Sequence, residues 1–276
     1  MRLTVSIVVY KSDPLWFAGT LSSLSKSIDY AKSRRDDLQC ELYIVENDTV
    51  GQRNLKQAEM LLRSHHYESF DDIVVRTASK NLGYGSGHNL ALSDSLSDYH
   101  LVLNPDVALG ERSILTALDY LESTTNVAIV SPAAVDGDGA PLYLCKRYPN
   151  IFDLLLRGFA PNKVKSLFSR RLSKYERHDL KGLATASTEV DIVSGCCMLM
   201  PTRIFNAVSG FDEKFFLYFE DFDLSLRVGA RGKLIYLPGM TITHYGGYAA
   251  RKGLWHVLLF ASSAYKFYQR YGWRWF

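Results

Sequence analysis

The chain has 276 residues, of which 47% are hydrophobic and 22% are charged. These values are typical of a folded domain with a large core and exclude a wholly disordered chain. The formal net charge of +3 is too small to indicate a nucleic-acid-binding protein. No apolar run reaches the roughly 18 residues of a membrane-spanning helix, and the N-terminus has no cleavage site. We therefore expect a cytoplasmic protein, either soluble or peripheral on the inner face of the cytoplasmic membrane.

Strand and helix alternate along the first half of the chain. A nearly continuous β-branched run at 4–10 predicts a strand buried on both faces, and Asp13 with Pro14 begins a helix. The other predicted strands are 41–47, 72–77, 100–107 and 127–135, and the other predicted helices are 52–64, 87–96 and 111–123. This alternation predicts an α/β protein with a doubly wound, mostly parallel, Rossmann-like sheet.

The second half is less regular, and residues 136–188 have no pattern that predicts an element. The predictions for the remainder are a strand at 190–201, a short helix at 202–209, a loop leading into a helix at 210–232, strand-like segments at 233–238 and 240–245, and a last helix at 253–271. We therefore expect one domain over residues 1–250, followed by an amphipathic helical tail at 251–276.

Polar side chains follow three of the predicted strands, at the edge where open α/β sheets bind ligands. The residues at these strand ends are Val9 and Tyr10, then Glu46, Asn47 and Asp48, then Asn104, Pro105 and Asp106. Asp106 is the sharpest candidate, because Mg²⁺ commonly binds one or two protein carboxylates together with phosphate oxygens. Pro105 fixes the turn that aims this carboxylate. The alternative is that all these residues only form turns.

A glycine-rich turn joins a strand to a helix at residues 81–89. Such turns let the backbone approach phosphates closely. Its three glycines stand at alternate positions, which differs from the G-x-G-x-x-G spacing of dinucleotide-binding proteins, and no acidic residue follows at the right distance. A dehydrogenase is therefore a poor interpretation.

Three carboxylates lie within four residues in the aromatic segment 215–223, at a predicted helix N-terminus. Asp223 is best explained by an ion pair with Arg227, four residues later on the same helix face. Glu220 and Asp221 are better explained as site residues, because partial desolvation by aromatic rings gives a carboxylate the raised proton affinity that a general base needs. His244, at the end of a predicted strand, is either a metal ligand or an ordinary core residue.

Together these segments resemble the family 2 glycosyltransferases, and within them the rhamnosyltransferase-like branch. The segments that carry the resemblance are SIVVY (6–10), VEND (45–48), NLGYGSGHN (81–89), LNPDV (103–107), SGCCMLM (194–200), GFDEKFF (210–216), YFEDFDLSLR (218–227) and His244 with the YGG after it. The resemblance implies a GT-A fold, with a donor half at about 1–135 and an acceptor half at about 136–250. It also implies an inverting enzyme that uses a nucleoside diphosphate sugar and Mg²⁺ or Mn²⁺.

The resemblance assigns roles to individual residues on the donor side. Val9, Tyr10, Glu46 and Asn47 would hold the nucleoside, and Asn81, Gly83, Asn89 and Asn104 would line the donor pocket. Asp106 would bind the metal as the last acid of a D-x-D-type motif, here reduced to N-P-D, with His244 as a second ligand. Glu46 departs from the family, which usually has Asp there, and Ala249 stands where members tend to carry Ser.

On the acceptor side, the resemblance makes Asp221 the catalytic base. It would remove a proton from the acceptor hydroxyl, which attacks the anomeric carbon from the face opposite the diphosphate through a transition state with oxocarbenium character. Gly195, Cys196 and Glu220 would contact the acceptor. The branch favours dTDP-rhamnose over UDP-hexoses as the donor, and a glycan or lipid-linked oligosaccharide acceptor in bacterial surface polysaccharide synthesis.

Two other functions compete with this interpretation. A sugar-nucleotide nucleotidyltransferase would need a glycine-rich, basic loop directly after the first strand, and the sequence there, VVYKSDPLW, contains no glycine. A non-catalytic nucleotide- or glycan-binding module would have no need of the intact acids at 106, 220 and 221. Both alternatives are therefore disfavoured, and no nucleic-acid partner is expected.

The last predicted helix carries two stripes of different chemistry. Its apolar stripe is Leu254, Leu258, Ala261, Tyr265 and Tyr268, and its basic stripe is Lys266 and Arg270. Basic residues beside interfacial aromatics suggest docking on an anionic membrane. The alternative is a helix that packs on the sheet, with or without a homodimer contact. The basic segment 163–177 is a second candidate for contact with a membrane or the acceptor.

Overall fold

The computed structural model describes residues 1–47, 68–92, 97–182, 186–246 and 253–276. The helix predicted at 52–64 lies outside these ranges, as do Asp48 and Ala249. Within them, no helix has the length and apolar character that crossing a membrane requires. All four cysteines lie within the described ranges as buried, free thiols.

The main element of the fold is a large mixed sheet with helices on both faces. The strands are β1 (Arg2–Val9), β2 (Gln39–Glu46), β3 (Asp72–Thr77), β4 (Tyr99–Leu103), β5 (Val107–Leu109), β6 (Val127–Val135), β7 (Pro141–Leu142), β8 (Cys145–Lys146), β9 (Thr188–Val190), β10 (Ile192–Val193), β11 (Cys197–Pro201) and β12 (Lys233–His244). The helices are α1 (Pro14–Lys32), α2 (Tyr84–Leu92), α3 (Ser113–Ser123), α4 (Ile151–Phe159), α5 (Asn162–Leu167), α6 (Ser169–Tyr175), α7 (Thr202–Ala207), α8 (Glu220–Gly229) and α9 (Leu254–Tyr271), with a 3₁₀ helix at His178–Gly182.

The sheet has the strand order β3-β2-β1-β4-β11-β6-β12-β5, with β7 beside β6 and β9 beside β12. Strands β3, β2, β1 and β4 run parallel to one another, as predicted. Strand β11 runs antiparallel to both β4 and β6, and β12 runs parallel to β6. The prediction of a mostly parallel α/β sheet is therefore confirmed, with β11 inserted as an antiparallel strand near its middle.

The strand predicted at 100–107 is in fact two strands with different partners. β4 ends at Leu103, and β5 begins at Val107 and pairs antiparallel with β12. Pro105, in the connection, has no N–H group with which to continue a ladder of hydrogen bonds. The change of partner places Val107 opposite His244, so the loop that carries Asp106 lies beside the end of β12.

Other boundaries also differ from the prediction. The strand predicted at 190–201 is divided into β9, β10 and β11, whereas the two segments predicted at 233–238 and 240–245 form the single strand β12. β12 absorbs Pro238 and Gly239 through a shift in register between Leu237 and Thr241, as a bulge allows. Residues 136–188, for which no element was predicted, contain β7, β8, β9 at their end and the short helices α4 to α6.

The two faces of β1 differ in character. Leu3, Val5 and Ile7 pack into a hydrophobic core together with Leu21 and Ile28 of α1. On the opposite face, the Ser6 hydroxyl lies 2.6 Å from Nδ1 of His88 and 2.9 Å from Nε2 of His100. Burial lowers the pKa of both imidazoles, so both are neutral and the two histidines form part of the polar packing beneath α2.

The C-terminal helix α9 packs on the aromatic segment that precedes α8. Phe267 and Tyr268 form a buried cluster with Phe215 and Phe219. Tyr268 is therefore buried, although it lies on the same helical stripe as the exposed Leu254. The side chains that α9 buries recur at helical spacing from Phe260 through Phe267, and Tyr268 lies at the edge of that face.

Candidate active site

Asp106 and His244 form a close acid–imidazole pair at the carboxyl edge of the sheet. The Asp106 Oδ1 atom lies 3.3 Å from Nε2 of His244. Both atoms are buried, and neither has a hydrogen-bond partner among the described residues. The backbone holds the pair together, because the N–H of Tyr245 donates to the Asp106 carbonyl at 3.0 Å. Two buried ligand-type atoms that face each other without a partner are what a metal site would require.

Gly246 leaves the space that the Asp106 carboxylate occupies. A Cβ atom at this position would overlap Oδ2 of Asp106 and would lie 3.7 Å from Nε2 of His244. Any larger residue at 246 would therefore displace the carboxylate. The glycine at 246 in the sequence after His244 thus has a local steric reason.

The acid pair Glu220 and Asp221 begins helix α8. The two residues before it, Tyr218 and Phe219, have left-handed backbones with φ of 69° and 63°. Each costs about 1–3 kcal/mol in a non-glycine residue, and such strain persists only where surrounding packing enforces it. Here the aromatic cluster around Phe219 supplies that packing. The sharp turn directs the acid pair toward the loop that contains Gly195.

Asp221 is held in place by backbone donors. Its Oδ2 accepts a hydrogen bond from the N–H of Gly195 at 3.1 Å, and its Oδ1 accepts one from the N–H of Phe222 at 2.9 Å. Burial raises the pKa of Asp221 to about 6, although these hydrogen bonds and the Lys146 ammonium oppose the rise. A carboxylate with this pKa is ionised at neutral pH and is more basic than an exposed one, which suits a general base.

Glu220 is the more deeply buried member of the acid pair. It is 6% exposed, and its Oε2 has no hydrogen-bond partner among the described residues. Burial, with the neighbouring charge of Asp221, raises the pKa of Glu220 well above its usual value. Glu220 therefore holds its proton more tightly than an exposed glutamate does, since two adjacent buried carboxylates do not both ionise readily.

Gly195 and Cys196 connect the acid pair to the metal-type pair. The N–H of Gly195 binds Asp221, and the carbonyl of Cys196 accepts from the N–H of Asn104 at 2.9 Å, two residues before Asp106. The charges of Asp106 and Asp221 both raise the pKa of the Cys196 thiol, in addition to the main effect of its burial. Both acidic sites predicted from the sequence thus lie around one loop.

Tyr84, the first residue of α2, also reaches this loop, and the sequence interpretation assigned it no role. Its hydroxyl donates to the Gly195 carbonyl at 2.7 Å. Burial raises its pKa well above the usual value, and the charges of Glu220, Asp221 and Asp106 add to that rise. A tyrosine in the NLGYGSGHN turn was the available signal, but its partner lies 111 positions later in the chain.

Lys146 of β8 is a second residue that the sequence interpretation missed. Its side chain is buried, its ammonium donates to the Tyr143 carbonyl at 2.6 Å, and it lies 3.9 Å from Oε1 of Glu176. Burial lowers the pKa of Lys146 to about 8, and Glu176 and Asp221 oppose that change. Residues 136–188 have no clear sequence pattern, so nothing marked this lysine as different from its basic neighbours.

The donor-side residues lie at the same edge of the sheet, at the ends of β1 and β2. Val9 and Glu46 are buried, Tyr10 is exposed, and the N–H of Asn47 donates to the Val9 carbonyl at 2.9 Å. The nucleoside contacts expected of these residues stay predictions.

Asn47 and Asn81 organise the glycine-rich turn. The Asn47 amide nitrogen donates to Oδ1 of Asn81 at 3.2 Å and to the Gly83 carbonyl at 2.8 Å, and its Oδ1 accepts from the N–H of Leu82 at 2.8 Å. Gly83 has φ of 87°, and a Cβ there would overlap the Phe216 carbonyl oxygen. The close approach of Gly83 to Phe216, together with the hydrogen bond from the Tyr84 N–H to the Phe216 carbonyl at 3.0 Å, holds the turn against the segment before the acid pair.

Asn89 lies farther along α2 and is engaged elsewhere. Both atoms of its amide bind the backbone of Phe211, at 2.8 and 2.9 Å. The donor contact expected of Asn89 therefore stays a prediction, while the structure gives this side chain a clear structural contact. Asn104, by contrast, has a buried Oδ1 without a partner among the described residues, two positions from Asp106.

Comparison with curated proteins places the chain beside rhamnosyltransferases. It is 27% identical over 213 residues to an N-acetylglucosaminyl-diphospho-decaprenol L-rhamnosyltransferase from Mycobacterium tuberculosis, over 72% of this chain and 68% of that protein. It is 26% identical over 247 residues to rhamnosyltransferase WbbL from Escherichia coli K12, over 83% of this chain and 85% of that protein. No family model matches the chain.

Solved structures share the fold at low sequence identity. S. aureus TarS 1-349 has a TM-score of 0.58 and 13% identity, covering 89% of this chain and 60% of that one. GalNAc-T7 with UDP, GalNAc and Mn²⁺ has a TM-score of 0.60 and 13% identity, covering 89% of this chain and 43% of that one. The chain thus spans less than two thirds of these longer proteins. The likeness confirms the predicted fold class.

Proposed function

We propose that this chain, a nucleotide-sugar glycosyltransferase of the GT-A fold, transfers rhamnose from dTDP-rhamnose to a lipid-linked glycan. The premise is its relation to the rhamnosyltransferase-like branch of family 2. The proposed product has inverted configuration at the anomeric carbon. Two curated relatives that are named as rhamnosyltransferases support the choice of sugar. The diphospho-decaprenol acceptor in the name of one relative supports a lipid-linked acceptor.

The observation that carries this proposal is the pair Asp106 and His244, whose two facing atoms are buried and make no hydrogen bond among the described residues. The loop of Gly195 and Cys196 lies between this pair and Asp221, because it binds both Asn104 and Asp221. The Asp106 oxygen and the His244 nitrogen fit a divalent cation, because both are ligand atoms of the right type and are 3.3 Å apart. Phosphate oxygens and water would complete the coordination of Mg²⁺ or Mn²⁺. A bound cation neutralises charge on the diphosphate, which is the leaving group.

Asp221 acts as the base in this proposal. Its ionised carboxylate accepts the proton of the acceptor hydroxyl as that oxygen bonds to the anomeric carbon. The bond from the anomeric carbon to the diphosphate breaks at the opposite face, and the diphosphate leaves with the bonding electron pair. The backbone N–H of Gly195 holds Asp221 toward the acceptor side. When it is protonated, Glu220 can donate a hydrogen bond to another acceptor oxygen.

The two halves of the chain divide these tasks. We assign the donor half, about 1–135, the strand ends with Tyr10, Glu46 and Asp106, where the nucleotide would lie. The acceptor half, about 136–250, supplies Asp221 and His244. Gly195 and Cys196, also in the acceptor half, would line the space for the acceptor. The proposed contacts of Val9, Asn47, Asn81, Gly83 and Asn104 with the donor belong to the first half.

The test is a turnover assay with defined donors. Release of nucleoside diphosphate is measured from dTDP-rhamnose, UDP-glucose, UDP-N-acetylglucosamine and GDP-mannose, with a prenyl-diphosphate-linked N-acetylglucosamine as acceptor and with Mg²⁺, Mn²⁺ or EDTA. We expect turnover with dTDP-rhamnose that EDTA abolishes. A stronger rate with another sugar nucleotide would contradict the choice of rhamnose, and full turnover in EDTA would contradict the metal role.

The base is tested with Asp221→Asn in the same assay. Loss of a general base lowers kcat by about 10²–10⁴-fold, while donor binding measured by calorimetry stays nearly unchanged. Glu213→Gln is the matched control, because it removes an exposed acid from the same segment. Asp221→Asn with the kcat of the unmodified protein would exclude Asp221 as the base.

A further inference from the structure

Helix α9 leaves an apolar stripe on the protein surface. Leu254, Trp255 and Leu258 are 76%, 66% and 54% exposed, although all three are large and apolar. The opposite face of the helix is the one that packs on the protein, through Phe260 and Phe267. The helix is firmly packed on the protein through its buried face, so the exposure of the apolar stripe does not result from loose attachment of the helix.

The C-terminal residues extend this stripe across to helix α4. After α9, the carbonyls of Arg274 and Trp275 accept hydrogen bonds from the N–H groups of Ile151 and Phe152, at 2.9 and 3.2 Å. Trp273 stacks on Trp275, with ring centroids 6.2 Å apart, and both rings remain about half exposed. The tail thus holds interfacial aromatic rings in fixed positions on the protein surface.

Helices α4 and α5 add further exposed apolar side chains beside the tail. The exposed members are Leu155, Phe159, Val164 and Leu167. Phe276 contacts Phe152 of α4, with ring centroids 5.3 Å apart, so the apolar surface is continuous between the tail and this helix. We call this set of residues, from α9 through the tail to α4 and α5, the apolar face.

Positive charge surrounds the apolar face. Lys163 of α5, Arg170 and Lys174 of the following helix α6, Lys266 of α9 and Arg274 of the tail are exposed basic residues. The acids of residues 151–177 are already paired, because Arg171 binds Asp153 and Arg157 binds Glu176. Residues 251–276 contain five basic residues and no acid. The surface therefore combines apolar and aromatic side chains with cations.

We propose that the apolar face is a docking surface for an anionic lipid bilayer. Leucine and tryptophan side chains would enter the interfacial region of the bilayer, and the surrounding lysine and arginine side chains would bind the phosphate groups of anionic lipids. A second protein chain as the occupant would be expected to complement the cations with acids, and no acid of 251–276 is available for a symmetric contact between two copies. The charge pattern thus favours lipid.

A hydrogen bond connects helix α9 of the apolar face to the segment that leads into the acid pair. Nδ1 of His256, between the exposed Trp255 and Val257, lies 2.9 Å from the Tyr218 hydroxyl. Tyr218 is the first of the two left-handed residues that lead into Glu220. Docking of α9 on a bilayer would therefore place the acid pair close to lipid-linked substrates. Only this last step rests on the proposed function.

The test is flotation of the full chain with vesicles. Vesicles of phosphatidylcholine alone are compared with vesicles in which about a third of the lipid is phosphatidylglycerol. We expect flotation with the anionic vesicles, weakened by added salt and much less with the neutral ones. Leu254→Glu with Leu258→Glu should lower the bound fraction at least about tenfold, and Lys163→Ala with Arg170→Ala and Lys174→Ala should lower it severalfold.

Leu15→Glu is the matched control, because Leu15 is an equally exposed leucine on α1, far along the chain from the apolar face. It should float as the unmodified chain does, and unchanged circular dichroism shows that each variant is folded. Two results would overturn the proposal. One is flotation that the Leu254 and Leu258 changes leave intact. The other is a dimer in light scattering that these changes convert to a monomer, without any binding to vesicles. Neither readout depends on turnover.

Discussion

The buried carboxylate of Asp223 accepts a hydrogen bond from the Tyr271 hydroxyl at 2.7 Å, which ties the helix of the acid pair to the C-terminal helix. The same carboxylate binds Arg227 at 2.7 Å, as their spacing predicted, and Arg270 at 2.5 Å. Arg270 also binds Asp212 at 2.6 Å. Asp223 is therefore the centre of a network that fixes α8 against α9, in the same first turn of α8 as the acid pair.

Asp223→Asn should destabilise the protein strongly. Removal of one partner from a buried ion pair leaves uncompensated charge, which costs about 3–5 kcal/mol in free energy of unfolding. Urea denaturation followed by circular dichroism measures this loss. Asp119→Asn is the control, because Asp119 pairs with Arg35 at an exposed position, where at most about 1 kcal/mol is expected. Equal losses in the two variants would contradict the structural role of Asp223.

The pH dependence of turnover should report the protonation of Asp221. Its pKa is raised to about 6, mainly by burial, and the base acts only when it is unprotonated. We therefore expect kcat/KM to rise with pH through about 6 and to level off above it. The steady-state pH profile with dTDP-rhamnose is the measurement. A profile without a limb on the acidic side would be inconsistent with this base.

Lys146→Met gives the same experiment a second readout. The Lys146 ammonium lowers the pKa of Asp221, so its removal should move the acidic limb to higher pH. Lys233→Met removes an exposed lysine, which pairs with Glu189 on the surface, and should leave the limb where it is. Loss of turnover without movement of the limb would mean that Lys146 acts in some other way.

Gly246→Ala should disrupt the pair formed by Asp106 and His244. An added methyl group would overlap the Asp106 carboxylate, so the cation-dependent part of dTDP binding should weaken by at least about tenfold, or 1.4 kcal/mol. Calorimetric titration with dTDP, with and without Mn²⁺, measures this part. Gly19→Ala is the control, because a methyl group at Gly19 in α1 would meet nothing within 4 Å. Equal binding by both variants would argue against a cation at this pair.

Much of the site was predictable from local sequence. The carboxylates Asp106, Glu220 and Asp221 each follow a recognisable strand end or begin a helix, and motifs of a few residues mark them. Lys146 and Tyr84 were not predictable in this way. Their importance lies in interactions with residues far along the chain. The Tyr84 hydroxyl binds the Gly195 carbonyl, and the charge of Lys146 lowers the pKa of Asp221.

Amide side chains show a related difficulty. Asn47 and Asn89 stand in motifs that the family resemblance connects with the sugar nucleotide, yet both use their amides to bind distant backbone. An asparagine can satisfy a loop or a ligand equally well by hydrogen bonding. Sequence alone does not separate these two uses, because they require the same residue at the same position.

The sequence by itself determined the alternation of strands and helices, the parallel half of the sheet and the identity of the acidic residues. These follow from hydrophobic periodicity and short motifs, which act over a few residues. Only the tertiary structure decided that β5 leaves the line of β4 to pair with β12, and so brings Asp106 to His244. It also decided which face of α9 is buried. The partner of β5 lies more than 100 positions away along the chain, and the residues that cover α9 belong to other elements. No local sequence pattern encodes either partner.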